Sequence, residues 1–313
     1  MSWDTLQLAQ QEINSDSWDG RLDRRSHFLS LLRQRFPKIE LKNLDPILNM
    51  LRLIKSPKEI ELLRAAGRIT ALAVKQAMRS TKPGVMEYQL EAVMRYHFLI
   101  NGGRDAGYQA TIGGGANAWY GHYNTNNCPL IDGELVLVDG APDYHYYTSD
   151  IGRMWPVSGV YSAVQRELYG FIVEYHEVFL SLIRPAVTDE QIRREAAEKM
   201  AKVVEKTRFS KEIYQAAAHR ALEFPHHMSH PVGMAVHDVG HYRGKVLQTG
   251  VVLALDPQLI IPEERIYIRV EDTIVVTKKG VENLTGSAPI ELDEVENTMR
   301  EQGLLERFPA ELR

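Results

Sequence analysis

The chain has 313 residues, 44% hydrophobic and 25% charged, the balance of an ordinary globular protein with one large or two medium domains. Its net charge of −4 comes from 37 basic and 41 acidic residues with no like-charge run, so no nucleic-acid surface is expected. The single cysteine, Cys128, excludes an intrachain disulfide and a cysteine-based zinc site, and no apolar run approaches the ~20 residues that span a bilayer, so no membrane partner is expected.

The first twenty residues are polar and acidic and read as weakly ordered, without the apolar core of a signal peptide. A cytoplasmic, reducing setting is the expectation, taking Met1 as the natural start. Helices are predicted over 24–36 and 45–54. Ser56-Pro57-Lys58-Glu59 is then a strong helix start, with serine as N-cap, proline at the first helical position and glutamate three residues on. The helix it opens carries Ile60, Leu63, Gly67, Ala71, Val74 and Met78 on one face and ends at Lys82-Pro83-Gly84. A second helix is predicted over 87–99, closed by Gly102-Gly103. From 107 to 157 the composition is that of strands and turns. Ile112-Gly113-Gly114-Gly115 reads as a turn between strands, because no helix start with Lys and Ser/Thr follows to cradle a phosphate. Leu135 to Asp139 reads as a strand, and so does the aromatic run Tyr144, Tyr146, Tyr147. Helical patterns resume over 162–183 and 189–206. A mixed histidine-rich stretch follows (218–243), then strands over 251–255 and 267–276 and a polar helix over 290–303.

The order helix, helix, strands occurs twice, and the residues echo it. Lys82 to Leu90 lines up with Arg184 to Ile192, and Gly133 to Asp139 with Gly250 to Asp256, in the same order. An ancient duplication into two facing α/β halves is expected, with a ligand cleft between them.

Carboxylates collect at the strand ends. Asp139 closes one strand, and Asp150 follows eleven residues later. Two adjacent antiparallel strands would bring them together, where like charges need a proton or a metal ion. The alternative is a pair of solvated turn residues. Asp256 ends the echoing strand, and period-2 alternation sets Glu271 on the opposite face from Val270 and Asp272. His226, His227, His230 and His237 lie just before, and His122 precedes Asp139. Histidine clusters are commonly surface or hydrogen-bonded core features. Beside several carboxylates they also suit a pair of Mn²⁺, Co²⁺ or Zn²⁺ ions that share a water. No HExxH, GxSxG or Cys–His pattern competes.

The ordered set His122, Asp139, Asp150, His226, His230, His237, Asp256 and Glu271 resembles the pita-bread metallopeptidases, the family of aminopeptidase P, prolidase, methionine aminopeptidase and creatinase. The segment His226 to Asp238 resembles the proline-peptidase signature with one mismatch, His227. LRLIKSPKEIELLRAAG and IRVEDTIVVT resemble further segments of the proline-specific branch, so the likeness runs over about residues 50–285.

The resemblance implies an α+β pita-bread fold, two pseudo-symmetric halves with a curved, mainly antiparallel sheet and helices on its outer face. It implies a catalytic domain over 56–313, preceded over 1–55 by an extension or the remnant of an N-terminal domain. Asp139, Asp150, His230, Asp256 and Glu271 would ligate two divalent ions, manganese first and cobalt or zinc as alternatives. Catalysis would fall to His122, His226, His237 and Asp256, and substrate contacts to His122, His237 and Arg269.

The implied activity is metal-dependent removal of a residue N-terminal to proline, from peptides with proline in second position, by a homodimer. The alternatives are a prolidase-like dipeptidase and a non-catalytic pita-bread binding protein. One departure bears on these readings. Where the family has glutamate, proline and glycine, this chain has Asp256-Pro257-Gln258. The aspartate is shorter by about 1.5 Å of reach.

Overall fold

The computed structural model describes residues 22–309, so the weakly ordered stretch expected over 1–20 lies outside the described residues. The chain divides into two compact units, Met1–Pro46 and Ile47–Arg313. The first unit carries α1 (Arg24–Arg35), whose N-cap Asp23 accepts from the backbone N–H of Ser26. Helix α2 (Asp45–Leu53) leads into the second unit.

Within that unit, Ser56 forms the expected capping box with Glu59 at the start of α3 (Pro57–Ser80). Leu63, Val74 and Met78 of its apolar face are fully buried, and each such burial stabilises by about 1.5–3 kcal/mol. Gly67 lies on this face because the chain passes so close there. A Cβ would sit 2.3 Å from the carbonyl oxygen of Leu284. Helix α4 (Glu87–Ile100) packs on α3. Strands β1 (Asp105–Ala106), β2 (Thr111–Gly114), β3 (Leu135–Asp139), β4 (Pro142–Asp143) and β5 (Ile151–Pro156) follow. The second round begins with α5 (Ala163–Leu182), α6 (Asp189–Lys206) and α7 (Glu212–Glu223). It continues with β6 (Met228–Pro231), β7 (Val252–Leu255), β8 (Gln258–Ile261), β9 (Ile266–Arg269), β10 (Glu271–Thr277) and β11 (Gly280–Asn283). Helices α8 (Leu292–Met299) and α9 (Leu304–Arg307) close the described chain.

The main sheet has the order β2-β3-β5-β10-β7-β6, with β11 on the free stretch of β10, and every pairing is antiparallel. The order is palindromic. Strands β2, β3 and β5 of the first half mirror β6, β7 and β10 of the second. The echoing segments fall at equivalent places, on the α3–α4 and α5–α6 connections and on β3 and β7. Thus the duplication legible in the sequence is also the symmetry of the sheet. The halves meet at the β5–β10 joint, which is only two pairs long: Glu271 opposite Gly152 and Asp272 opposite Ile151.

Local expectations fail where tertiary context overrides propensity. The aromatic run is no strand. Tyr144 and Tyr147 bridge each other, and His145 and Tyr146 between them take positive φ of 51° and 68°. That is the geometry of a two-residue hairpin turn, and it reverses the chain ahead of β5. The glycine run Ile112–Gly114 is itself strand, paired with β3, and only Gly115 (φ +50°) turns the chain into a short 3₁₀ helix. The strand expected over 267–276 is two strands broken at Val270. Strand β9 pairs with β8 in a separate hairpin, whereas β10 joins the main sheet. Among the described residues, no helix is long and apolar enough to cross a membrane.

Candidate metal centre

The site forms where the halves join, and Gly152 is its pivot. Asp139, the last residue of β3, lies opposite Gly152 on one side, and Glu271, the first residue of β10, lies opposite it on the other. A Cβ at Gly152 would meet Arg269 Nε at 2.8 Å and Glu271 Cβ at 3.0 Å, so the missing side chain makes room for a guanidinium. Asp150 directly precedes β5, and Asp256 directly follows β7. All four carboxylates are buried.

Arg269 lies among them. Its Nη2 is bonded to Asp139 Oδ2 and stands 3.2 Å from Glu271 Oε2, while Nη1 is 4.0 Å from Asp256 Oδ2. The hydroxyl of Tyr108 is 2.7 Å from Asp139 Oδ1 and 2.9 Å from Asp150 Oδ1, so its single proton is shared between two acceptors. Asp139 is therefore engaged through both oxygens.

His230 is fixed from behind. Its Nδ1 lies 3.1 Å from the carbonyl oxygen of Pro231, which can only accept, so the proton sits on Nδ1 and the lone pair on Nε2. That Nε2 faces Asp150 Oδ2 at 3.4 Å. A lone pair facing a carboxylate is repulsive unless a proton or cation lies between them. Ligand atoms of Asp150, His230 and Glu271 all lie within 4.8 Å of one another. His237 packs edge-on against His230 with centroids 4.2 Å apart, and His122 follows at 5.9 Å from His237, so three imidazoles form a row that begins at His230. His226 stands apart from the row. Its ring packs edge-on against Phe224, and it forms no ion pair with the carboxylates.

The electrostatics are those of an over-charged pocket. Burial, and then the charge of Asp139, pushes Asp150 well above the usual carboxylate range. Burial, and then Asp150, does the same to Glu271. Burial raises Asp256 to about 6 against the pull of Arg269. Burial works against the charge of Arg269, yet Glu271 and Asp139 hold its pKa well above the ordinary value. Burial, and then His237, pushes His230 down to about 3, the direction that keeps an imidazole neutral and able to ligate.

One guanidinium among four carboxylates leaves an excess of negative charge that only protons or cations relieve. Glu271 Oε2 and Asp256 Oδ1 are also buried without a hydrogen-bond partner among the described residues. Oxygen-rich donors with one imidazole suit first-row divalent ions, so the residues present fit such a group.

Two residues of the site escape sequence reading. Tyr108 is a lone tyrosine in an irregular segment, and neither spacing nor neighbours mark it. Arg153 of β5 is buried behind the site. It donates to the carbonyl of Glu271 at 2.6 Å and to Asp272 Oδ1 at 2.7 Å, tying β5 of the first half to β10 of the second. The alternation that sets Asp272 on the opposite face from Glu271 was readable, whereas its partner was not.

A duplicated antiparallel sheet with carboxylates and imidazoles gathered at its central joint is the pita-bread arrangement of a metallopeptidase. Metallopeptidase family M24 matches residues 61–278, and the chain belongs to that family. The chain is 39% identical over 269 residues to the Xaa-Pro aminopeptidase of Escherichia coli (strain K12), covering 81% of this chain and 61% of that protein. It is also similar to the solved structure of zinc-substituted E. coli aminopeptidase P in complex with product, with a TM-score of 0.71 and 38% identity over 82% of this chain and 62% of that one. Proline aminopeptidase P II from Yersinia pestis superimposes with a TM-score of 0.78 at 36% identity, over 90% of this chain and 70% of that one. The chain thus spans about three-fifths of the length of the E. coli relative.

Proposed function

We propose that the chain is a metal-dependent exopeptidase that hydrolyses the peptide bond N-terminal to a proline in second position, as the Xaa-Pro aminopeptidases do. The observation that carries this reading is the Asp150–His230–Glu271 cluster, with a buried Glu271 oxygen that accepts no hydrogen bond among the described residues and an imidazole lone pair turned inward.

Asp139, Asp150, His230, Asp256 and Glu271 would hold two divalent ions, manganese by preference and cobalt or zinc as substitutes. Such ions supply an activated water and polarise the scissile carbonyl. The chain's own groups do the rest. Tyr108 and Arg269 orient Asp139 and its neighbours, so the carboxylates need not reorganise when they load. Asp256 would accept a proton from the attacking water through the second lone pair of Oδ2, the oxygen to which Gln258 also donates. His237 and His122 offer N–H donors toward the oxygen that becomes negative as the carbonyl carbon turns tetrahedral. The C–N bond to proline then breaks, the proline nitrogen takes up a proton, and a free amino acid and a peptide beginning with proline leave. His226, outside the row, would act at the rim of the site.

The test is hydrolysis by the metal-free chain and by the Mn²⁺-loaded chain of an Xaa-Pro dipeptide, an Xaa-Pro-Xaa tripeptide and longer homologues. Cleavage of the tripeptide and longer peptides only with Mn²⁺ is expected. Cleavage confined to the dipeptide would move the reading to a prolidase-like enzyme. Metal uptake without any cleavage, or none at all, would sink the peptidase reading.

A further inference from the structure

Three residues depart from the pattern that the rest of the site resembles: His227, Asp256 and Gln258. In the structure they form one connected unit. The His227 ring is buried against Tyr175, Phe224 and Phe179, with centroids 4.9, 5.0 and 5.6 Å away. Its Nδ1 accepts from the backbone N–H of Gln258 at 3.2 Å, which puts the ring proton on Nε2. Nε2 in turn donates to the carbonyl of Ala221 on α7 at 2.6 Å. The His227 carbonyl accepts from the backbone N–H of Asp256 at 2.7 Å. Both ring nitrogens are consumed, so His227 ligates nothing. It seats the Asp256-Pro257-Gln258 turn on helix α7. From this seat the Gln258 side chain turns back, and its Nε2 donates to Asp256 Oδ2. Asp256 Oδ1 is left buried and without a partner among the described residues.

We infer that Gln258 is a positioning residue: its amide holds the short carboxylate of Asp256 by one oxygen and leaves Oδ1 as the oxygen offered to the second cation. The inference rests on the metal-centre reading above. An aspartate that must reach without help adopts several rotamers, and each ligation event costs the entropy of choosing one. A donor fixed on Oδ2 removes that choice in advance. It also occupies the oxygen, so Asp256 serves its ion through one atom. The second position is therefore weaker than the cluster of Asp150, His230 and Glu271, and it depends on Gln258 as outer partners of metal ligands generally do. Glycine at 258 has no such donor. A glutamate at 256 reaches farther and has less need of one.

The experiment is a calorimetric titration of the metal-free full chain with Mn²⁺ alone. Two binding events of unequal affinity are expected. Gln258→Met keeps the length of the side chain but lacks the donor. It should weaken the second event by about 10–100-fold and leave the first within about twofold. Gln258→Gly should do the same, and unchanged thermal unfolding of both metal-free variants shows that the fold is kept. In an Asp256→Glu background, Gln258→Met should cost less than about threefold, a coupling that a merely structural glutamine would not give. Equal weakening of both events, no change in either, or the same loss in both backgrounds overturns the inference. A single event in the unaltered chain overturns it while leaving the Asp150–His230–Glu271 cluster standing. Absence of any Mn²⁺ uptake overturns the metal-centre reading and this inference together.

Discussion

The two halves of the sheet carry equivalent carboxylates, and they hold them differently. Asp139 at the end of β3 is gripped through both oxygens, by Tyr108 and by Arg269. Its counterpart Asp256, after β7, is held through one oxygen by Gln258, and the other has no partner among the described residues. The same split separates Asp150, which shares the Tyr108 proton, from Glu271, whose Oε2 lies 3.2 Å from Arg269 without the angle of a hydrogen bond. Duplication therefore sets where a carboxylate lies, because strand position is inherited with the backbone. The side chains around it decide how firmly it is held. The first half is prearranged, and the second is left with lone pairs to spare.

That contrast can be broken at several points. The largest effect is expected at the residue that both halves share. Glu271→Ala should abolish Mn²⁺ uptake at the Asp150–His230 cluster and with it peptide hydrolysis. Elemental analysis of the variant after loading checks this, and a full complement of metal would remove Glu271 from the ligand set. Next comes the tie between the halves. Arg153→Met leaves Asp272 buried without its guanidinium, and breaking such a pair costs about 3–5 kcal/mol. Urea unfolding of the metal-free chain measures the loss. A cost near that of a surface substitution would mean that the tie contributes little.

Tyr108→Phe removes the one hydroxyl that both Asp139 and Asp150 engage and little else. It should weaken Mn²⁺ binding by about 10–100-fold and leave the fold intact. If affinity does not move, the firmness ascribed to the first half lies in Arg269 alone.

The smallest effect concerns Lys55, buried near Asp238 with Nζ 3.5 Å from Oδ2. Burial lowers this lysine from its ordinary 10.5 to about 8, against the pull of Asp238. Between those values the unfolded chain holds the proton that the folded chain has released, so folding stability should rise with pH from about 8 to 10.5. Below that window the group contributes no slope. Lys55→Met should flatten the rise in a denaturation series run across it, and an unchanged slope would assign it to other groups.

The sheet symmetry was legible because a duplicated chain repeats its connections, and Lys82 to Leu90 against Arg184 to Ile192 shows this without coordinates. The spacing of Asp139 and Asp150 and the alternation through Glu271 were legible because strand geometry is regular. The Tyr144–Tyr147 turn was not. Its aromatic residues favour strands, and only the need to reverse the chain before β5 forces two of them to positive φ. Helix α7 was missed because its buried face is alanine-rich (Ala217, Ala218, Ala221), too weak a hydrophobic signal to stand out beside the histidines. Nor could Tyr108, Arg153 or the Gln258 amide be read, since each acts through a partner far away in the chain or through a turn whose direction no local rule sets. The departure at Asp256 was visible as a shorter side chain, but the donor that accompanies it was not.

The β5–β10 joint is only two residue pairs wide, against five pairs between β3 and β5 and four between β10 and β7. Asp150 lies beside one edge of it and Glu271 on the other, so a cation engaging both works as a rivet across the seam. Anything that binds the folded chain and not the unfolded one shifts the folding equilibrium by RT ln(1 + [L]/Kd). With the metal binding proposed above, heat resistance of this protein would be coupled to the supply of free metal. A shortage would first loosen the seam on which the chemistry depends, before the better-paired strands on either side give way.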